Sequence, residues 1–137
     1  MNIAVILLSI SLVLLIIYGL DTMVASNKPQ GESPGTGFLP MDEAARGGIF
    51  GGGAVLLSIV GFVLGRNEPS KVIPTLLIVN GSLIILGMVI VMGMNILTSE
   101  DSIRTVTYTM ALGAILIILG IVKIIKDKKI LRKKTGV

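Results

Sequence analysis

The chain has 137 residues, 53% of them hydrophobic, with a formal net charge of +4 and no histidine, cysteine or tryptophan. Without histidine or cysteine, the Ser-His and Cys-His nucleophile pairs are impossible, disulfides are excluded, and ordinary zinc or copper sites are not expected. Most of the apolar residues form four long stretches, and the mean hydropathy is +0.93. This pattern predicts helices that cross a lipid bilayer.

The first predicted span covers residues 3–20 and contains no charged residue. A hydrocarbon core of about 30 Å needs about 20 helical residues, and only helices satisfy the backbone of such long runs in lipid. The stretch lacks the basic region of a secretory signal, and its apolar run is longer than usual for one, so we expect it to be retained. Cleavage near Val24-Ala25-Ser26 would leave three spans in the same orientation.

Residues 21–46 are predicted to form an outer loop. The part from Ser26 to Gly37 is rich in glycine, proline and polar residues, which indicate turns. The apolar segment Phe38–Met41 follows, and then Asp42-Glu43 resembles the start of a helix. Two interpretations stay open for this loop: a linker that ends in a helix start, or a surface that docks a partner.

The second predicted span, residues 47–65, is marked by its glycines. They recur four residues apart, or at multiples of four, in rows made of Gly47, Gly48, Gly51, Gly52, Gly53, Gly61 and Gly65. Small residues at this spacing predict close packing against another helix. A phosphate-binding loop is not expected, because the Gly-Lys-Ser/Thr that completes that motif is missing.

The third predicted span covers residues 72–97 and carries one amide near its middle. Asn80 and Gly87 lie on one face at 100° per residue, with Asn80 about 12 Å into the helix. We expect Asn80 to form a hydrogen bond to another helix. A transport-site ligand is the alternative, but no ionisable group accompanies it at membrane depth. Met88, Met92 and Met94 are interpreted as core filling rather than a Cu(I) site.

The fourth predicted span covers residues 103–125, and a basic tail follows at 126–137. Gly113 and Gly120 lie on one ridge and are predicted to pack against another helix. We expect the helix to continue past Val122 along the bilayer surface, with its basic residues directed toward lipid phosphates. These lipid-surface residues are Lys123, Lys126, Lys128, Lys129, Arg132, Lys133 and Lys134.

The charge distribution predicts the orientation. The seven lipid-surface residues, together with Arg66 and Lys71, place nine of the twelve basic residues on one side of the membrane. Basic residues favour the cytoplasmic side, so both termini are predicted there. The sequence therefore predicts a single all-α domain, residues 1–137, with four transmembrane helices in the cell membrane. The positive charge does not indicate nucleic acid, since no basic globular face or aromatic platform accompanies it.

Three features point to a family: the glycine-rich second span, the lysine-rich tail and the phrase Ile78-Val79-Asn80-Gly81-Ser82-Leu83-Ile84. With these, the layout resembles the small accessory membrane subunits that accompany ammonia monooxygenase in ammonia-oxidising archaea. The resemblance implies a non-catalytic subunit beside a copper-dependent core contributed by other chains. It implies no catalytic residue and no cofactor bound by this chain.

A second resemblance is local. The segment Pro34-Gly35-Thr36-Gly37-Phe38-Leu39-Pro40, followed by a glycine-rich span, is similar to the small four-helix subunit of tripartite tricarboxylate transporters. Asp42-Glu43 and the long basic tail depart from that pattern. We therefore expect an accessory subunit whose partners are other integral membrane subunits and the lipid bilayer. The alternatives are a small transporter subunit and a free-standing channel.

Overall fold

The computed structural model describes residues 2–26, 47–93 and 100–136. Over these ranges the chain is helical, with α1 at Ile3–Ser26, a π-helical segment at Gly47–Gly52, α2 at Gly53–Gly65, α3 at Val72–Gly93 and α4 at Glu100–Lys134. Four helical stretches are long and apolar enough to cross a membrane: Ile3–Val24, Gly48–Gly65, Val72–Ile90 and Val106–Lys134. For the described residues, the predictions of an all-helical fold and of four helices long and apolar enough to cross a membrane are confirmed.

The first helix is longer than predicted. It continues through residues 21–26, which the sequence analysis assigned to the outer loop, and it buries Asp21. This segment contains neither glycine nor proline to end the helix. The Thr22 hydroxyl donates a hydrogen bond to the Tyr18 carbonyl one turn earlier, at 2.9 Å. The rest of the predicted loop, with its Phe38–Met41 segment and the helix start at Asp42-Glu43, lies outside the described residues.

The fourth helix runs without interruption for 35 residues. The predicted tail is therefore largely helical, because its Lys, Ile, Leu and Arg residues are good or acceptable helix formers. The helix stops two residues before Gly136, whose φ of 69° lies in the left-handed region that commonly follows a helix end. A sharp bend onto the bilayer surface would need a break in the helix. The predicted continuation of the helix past Val122 is confirmed, and the helix contains no break that would turn the tail sharply.

Helices α1 and α3 lie at the centre of the packing. Helix α1 contacts both α2 and α3, while α3 also packs along α4. The buried apolar core takes side chains from all four helices, with Leu8, Ile73, Leu77 and Leu116 fully enclosed. Coverage within the chain is nevertheless small, because only 22–33% of the residues in each span's most apolar window are buried. Most of the apolar surface is thus left for lipid or other chains.

Candidate functional site

A polar cluster joins three helices inside the apolar core. It consists of Ser11 on α1, Ser58 on α2 and Asn80 on α3, all fully buried. The Ser11 and Ser58 hydroxyl oxygens are 2.8 Å apart, and Asn80 Nδ2 donates to each of them at 3.1 Å. Asn80 lies about 12 Å along α3 from Val72, so the cluster is close to the middle of a hydrocarbon core about 30 Å thick.

The cluster also uses backbone acceptors. The Ser11 hydroxyl donates to the Ala54 carbonyl at 2.7 Å, and Asn80 Nδ2 approaches the Leu8 carbonyl at 3.4 Å. Asn80 Oδ1 has no hydrogen-bond partner among the described residues. Turning the amide over would place Oδ1 beside the Leu8 carbonyl oxygen, which is an unfavourable contact between two acceptors. The orientation with Nδ2 toward the two serines is therefore preferred, and Asn80 Oδ1 is left as an acceptor without a donor in the described part of the chain.

The chemistry open to this cluster is limited to hydrogen bonding, because two hydroxyls and one amide have no charge to exchange near neutral pH. Among the residues that the structure describes, no group of three or more His, Cys, Asp or Glu side chains could hold a metal ion. The cluster therefore acts as a polar contact that fixes the mutual position of α1, α2 and α3.

A second polar group, which we call the clasp, ties α4 to the loop between α2 and α3. Lys123 Nζ lies 2.6 Å from Asp127 Oδ1, one turn further along the same helix. The same ammonium donates to the Glu68 carbonyl at 2.6 Å. The Ser70 backbone N–H donates to Asp127 Oδ2 at 3.2 Å. The clasp thus consists of Lys123, Asp127, the Glu68 carbonyl and the Ser70 N–H, and both side chains are buried.

The start of the chain lies at the same end of the bundle as the clasp. Asn2 Nδ2 donates a hydrogen bond to the Glu68 carboxylate, 66 residues away. Asn2, the α2–α3 loop and the turn of α4 that carries Lys123 and Asp127 are therefore neighbours.

One predicted lipid-surface residue is misassigned. Lys123 is fully buried, since Asp127 on the same helix face and the Glu68 carbonyl together satisfy its ammonium. Of the other members of that set, Lys126 is half-buried. The exposed members are Lys128, Lys129, Arg132, Lys133 and Lys134. The i, i+4 spacing of a lysine and an aspartate could have indicated this pair from the sequence.

Four of the predicted packing glycines lie at contacts between helices. A Cβ built on Gly61 would be 2.9 Å from Leu8 Cγ, and one on Gly65 would be 3.0 Å from Ala4 Cβ, both on α1. In the contact between α3 and α4, a Cβ on Gly113 would be 3.1 Å from the Gly81 carbonyl, and one on Gly120 would be 2.6 Å from Ile78 Cγ1. The distances at Gly61 and Gly120 are shorter than side chains normally approach, while at Gly65 and Gly113 the neighbouring atom on the other helix would have to move by a few tenths of an ångström.

The sequence analysis missed Gly81 as a packing residue. A Cβ there would lie 2.6 Å from the Gly113 carbonyl oxygen. A usable signal existed in the spacing, because Pro74, Ile78 and Gly81 follow the i, i+4, i+7 pattern of one helix face. That face meets Gly113 and Gly120, which are themselves seven residues apart.

The remaining predicted glycines make no close contact with the described residues of other helices. At Gly48, Gly51, Gly52, Gly53 and Gly87, a Cβ would meet no described atom within 4 Å. Gly47 opens the π-helical segment, and its surroundings lie outside the description. Close packing within this chain therefore uses the glycines at the loop end of α2, and the glycines at its start stay open.

No protein-family model, curated protein or solved structure matches this chain. Inference about function therefore rests on the two polar groups, the glycine contacts and the surface that the chain leaves uncovered.

Proposed function

We propose that this chain is a non-catalytic accessory subunit of a multi-subunit integral membrane complex, with archaeal ammonia monooxygenase as the first candidate. The observation that carries the proposal is the open glycine face at the start of the second span, formed by Gly48, Gly51, Gly52 and Gly53. Small residues are favoured where two membrane helices approach closely. Within the described residues, no helix fills that space.

Exposed apolar side chains alone would not favour a protein partner, because lipid covers them equally well. Glycine differs, since it offers lipid little side-chain surface and gives a second helix access to its backbone. The open face also includes the π-helical segment Gly47–Gly52, and π-helical turns are frequent at functional positions. A helix of another subunit is the occupant that best fits these features.

The polar groups fit a structural role. The serine–asparagine cluster ties α1, α2 and α3 together, and the clasp ties α4 to the α2–α3 loop. Both groups make their hydrogen bonds within the chain. The proposal therefore assigns substrate and cofactor chemistry to partner subunits.

The orientation is part of the proposal. Asn2, the α2–α3 loop and the clasp lie at one end of the bundle, and this end carries most of the basic residues. Cytoplasmic loops are enriched in lysine and arginine. We therefore place both termini in the cytoplasm and residues 27–46 outside, in a multi-pass protein of the cell membrane.

Co-purification from native membranes after mild detergent extraction tests the proposal, with native electrophoresis as the readout. Co-migration with the subunits of a copper monooxygenase is the expected result. Co-migration with a twelve-span permease and a periplasmic binding protein would instead identify the small subunit of a tripartite tricarboxylate transporter. Migration alone, together with ion flux through liposomes that contain the pure chain, would identify a channel and refute the proposal.

A further inference from the structure

We call the end of the bundle that carries the clasp the clasped end. Its basic residues lie at different heights, measured along the helix axes. Arg66 directly follows the last residue of α2, and Lys71 directly precedes the first residue of α3. Both are exposed and lie where the apolar spans end. The bond from Lys123 to the Glu68 carbonyl brings that residue of α4 to the level of the same loop. The loop thus marks the edge of the hydrocarbon core on all three helices.

Heights beyond this edge follow from the uninterrupted helix. At about 1.5 Å per residue, Lys126, Lys128 and Lys129 lie about 5–9 Å beyond Lys123. A headgroup layer on one side of a bilayer is about 5–8 Å thick. We call Arg66, Lys71, Lys126, Lys128 and Lys129 the basic belt, because they lie between the edge of the hydrocarbon core and about 9 Å beyond it, within or next to that layer. The distal set, Arg132, Lys133 and Lys134, lies about 14–17 Å beyond the edge and therefore past the layer.

The belt carries more positive charge than the carboxylates beside it can neutralise. Asp127 is paired with Lys123 and accepts a hydrogen bond from the Ser70 N–H, so its charge is already compensated within the clasp. Glu68 is exposed and keeps its negative charge, because its hydrogen bond comes from the neutral Asn2 amide. Within the described part of the chain, the five belt cations therefore outnumber the one carboxylate left beside them, and the excess positive charge attracts anions from outside the chain.

We infer that the basic belt binds the phosphate groups of anionic lipids in the leaflet that surrounds the clasped end. The apolar side chains of Ile121, Ile124 and Ile125 are exposed on α4 below and beside the belt. They offer acyl chains a surface that continues into the headgroup layer. This combination of an apolar wall and cations at phosphate height favours lipid over an acidic protein segment, which would engage the distal set equally well.

Two triple variants that remove the same charge test the inference. The belt variant is R66Q/K71Q/K126Q, and the distal variant is R132Q/K133Q/K134Q. Purified protein in a neutral detergent is titrated with dioleoylphosphatidylglycerol or with dioleoylphosphatidylcholine. Bound lipids are counted by native mass spectrometry, and the melting temperature is followed in parallel. Both variants are first compared with the wild type by circular dichroism in phosphatidylcholine.

The expected result is a saturable preference of the wild type for phosphatidylglycerol. The belt variant should bind it about tenfold more weakly, because each basic residue near an anionic surface contributes up to about fivefold in affinity. The distal variant should change by less than about twofold, since its charges lie beyond the headgroups.

Equal losses in the two variants would overturn the inference, as would a wild type without preference for the anionic lipid. Inorganic phosphate that raises the melting temperature as much as the lipid does, and through the same residues, would assign the belt to free phosphate and also overturn it. If the belt variant does not fold, the single variants K71Q and K133Q replace the triples, with the same expectation that only the first weakens lipid binding.

Discussion

Lys123 and Asp127 form an ion pair with 2.6 Å between nitrogen and oxygen, although 0% and 10% of the two side chains are exposed. Removing one partner of a buried pair leaves the other charge uncompensated and costs about 3–5 kcal/mol. We expect Lys123→Met to lower the free energy of unfolding by about 3 kcal/mol, because Asp127 would keep only the Ser70 N–H. Lys128→Met makes the same chemical change at an exposed position, so it should alter stability by less than about 0.5 kcal/mol.

The free energy of unfolding of both variants can be measured by unfolding the detergent-solubilised protein with sodium dodecyl sulfate. The double variant Lys123→Met/Asp127→Leu removes both charges and should recover part of the loss. Equal stability of Lys123→Met and the wild type would contradict the buried clasp.

The contact between α3 and α4 depends on Gly81. A Cβ at this position would lie 2.6 Å from the Gly113 carbonyl oxygen, and a backbone atom cannot move aside as a flexible side chain can. Gly81→Ala should therefore destabilise the protein by about 1–3 kcal/mol, as overpacking does. Gly87→Ala, on the same helix at a position where a Cβ would meet no described atom within 4 Å, should be neutral or stabilise by up to about 1 kcal/mol. Thermal unfolding monitored by circular dichroism compares the two, and a common sign of effect would argue against this contact.

The cluster at mid-bilayer depth predicts coupled substitutions. Asn80→Ala removes the donors to Ser11 and Ser58, and hydrogen bonds between membrane helices contribute about 0.6 kcal/mol each on average. A double-mutant cycle with Ser11→Ala and Asn80→Ala should give a coupling energy of about 0.5–1 kcal/mol. Ser82→Ala, which alters an exposed serine of α3, is the control and should show no coupling to Ser11. If the stability changes of Ser11→Ala and Asn80→Ala are strictly additive, the hydrogen bond between the two side chains contributes nothing to stability.

If the open glycine face binds a partner subunit, substitutions there should affect the complex and not the stability of the isolated protein. A Cβ at Gly52 would meet no described atom within 4 Å, so Gly52→Leu should leave the melting temperature of the isolated protein close to the wild-type value. Close approach of a partner helix would nevertheless be blocked, and the complex in native membranes should be lost. Leu64→Phe, at a residue that is 53% exposed at the loop end of α2, increases side-chain size away from the glycine face and is the control. If the Gly52→Leu variant retains the complex, the glycine face is not the interface with the partner.

The existence and apolar nature of the four helices could be read from the sequence, because membrane length and composition constrain them strongly. The sequence also indicated that Asn80 needs a partner. It could not identify Ser11 and Ser58, which are 69 and 22 residues away and look like ordinary small polar residues. Their meeting depends on how α1, α2 and α3 pack.

The clasp shows why the charge pattern alone led to a wrong assignment of Lys123 to the lipid surface. Lys123 belongs to a run of lysines, and the run as a whole has the composition of a cytoplasmic tail. Its burial follows from a tertiary contact with the Glu68 carbonyl, which sequence periodicity does not reveal. Sequence periodicity also does not tell the packed glycines from the open ones: a Cβ on Gly61 would contact Leu8, whereas a Cβ on Gly52 would meet no described atom within 4 Å.

The unbroken course of α4 has a mechanical consequence. Gly113, Gly120, Lys123 and Lys134 all belong to one helix of 35 residues, about 52 Å long at 1.5 Å per residue. A helix without a break has no hinge between Lys134 and the Gly113–Gly81 contact. The clasp lies between these points and holds α4 to the α2–α3 loop. We therefore expect a molecule that binds the last turns of α4 to act on the packing between α3 and α4 through this helix.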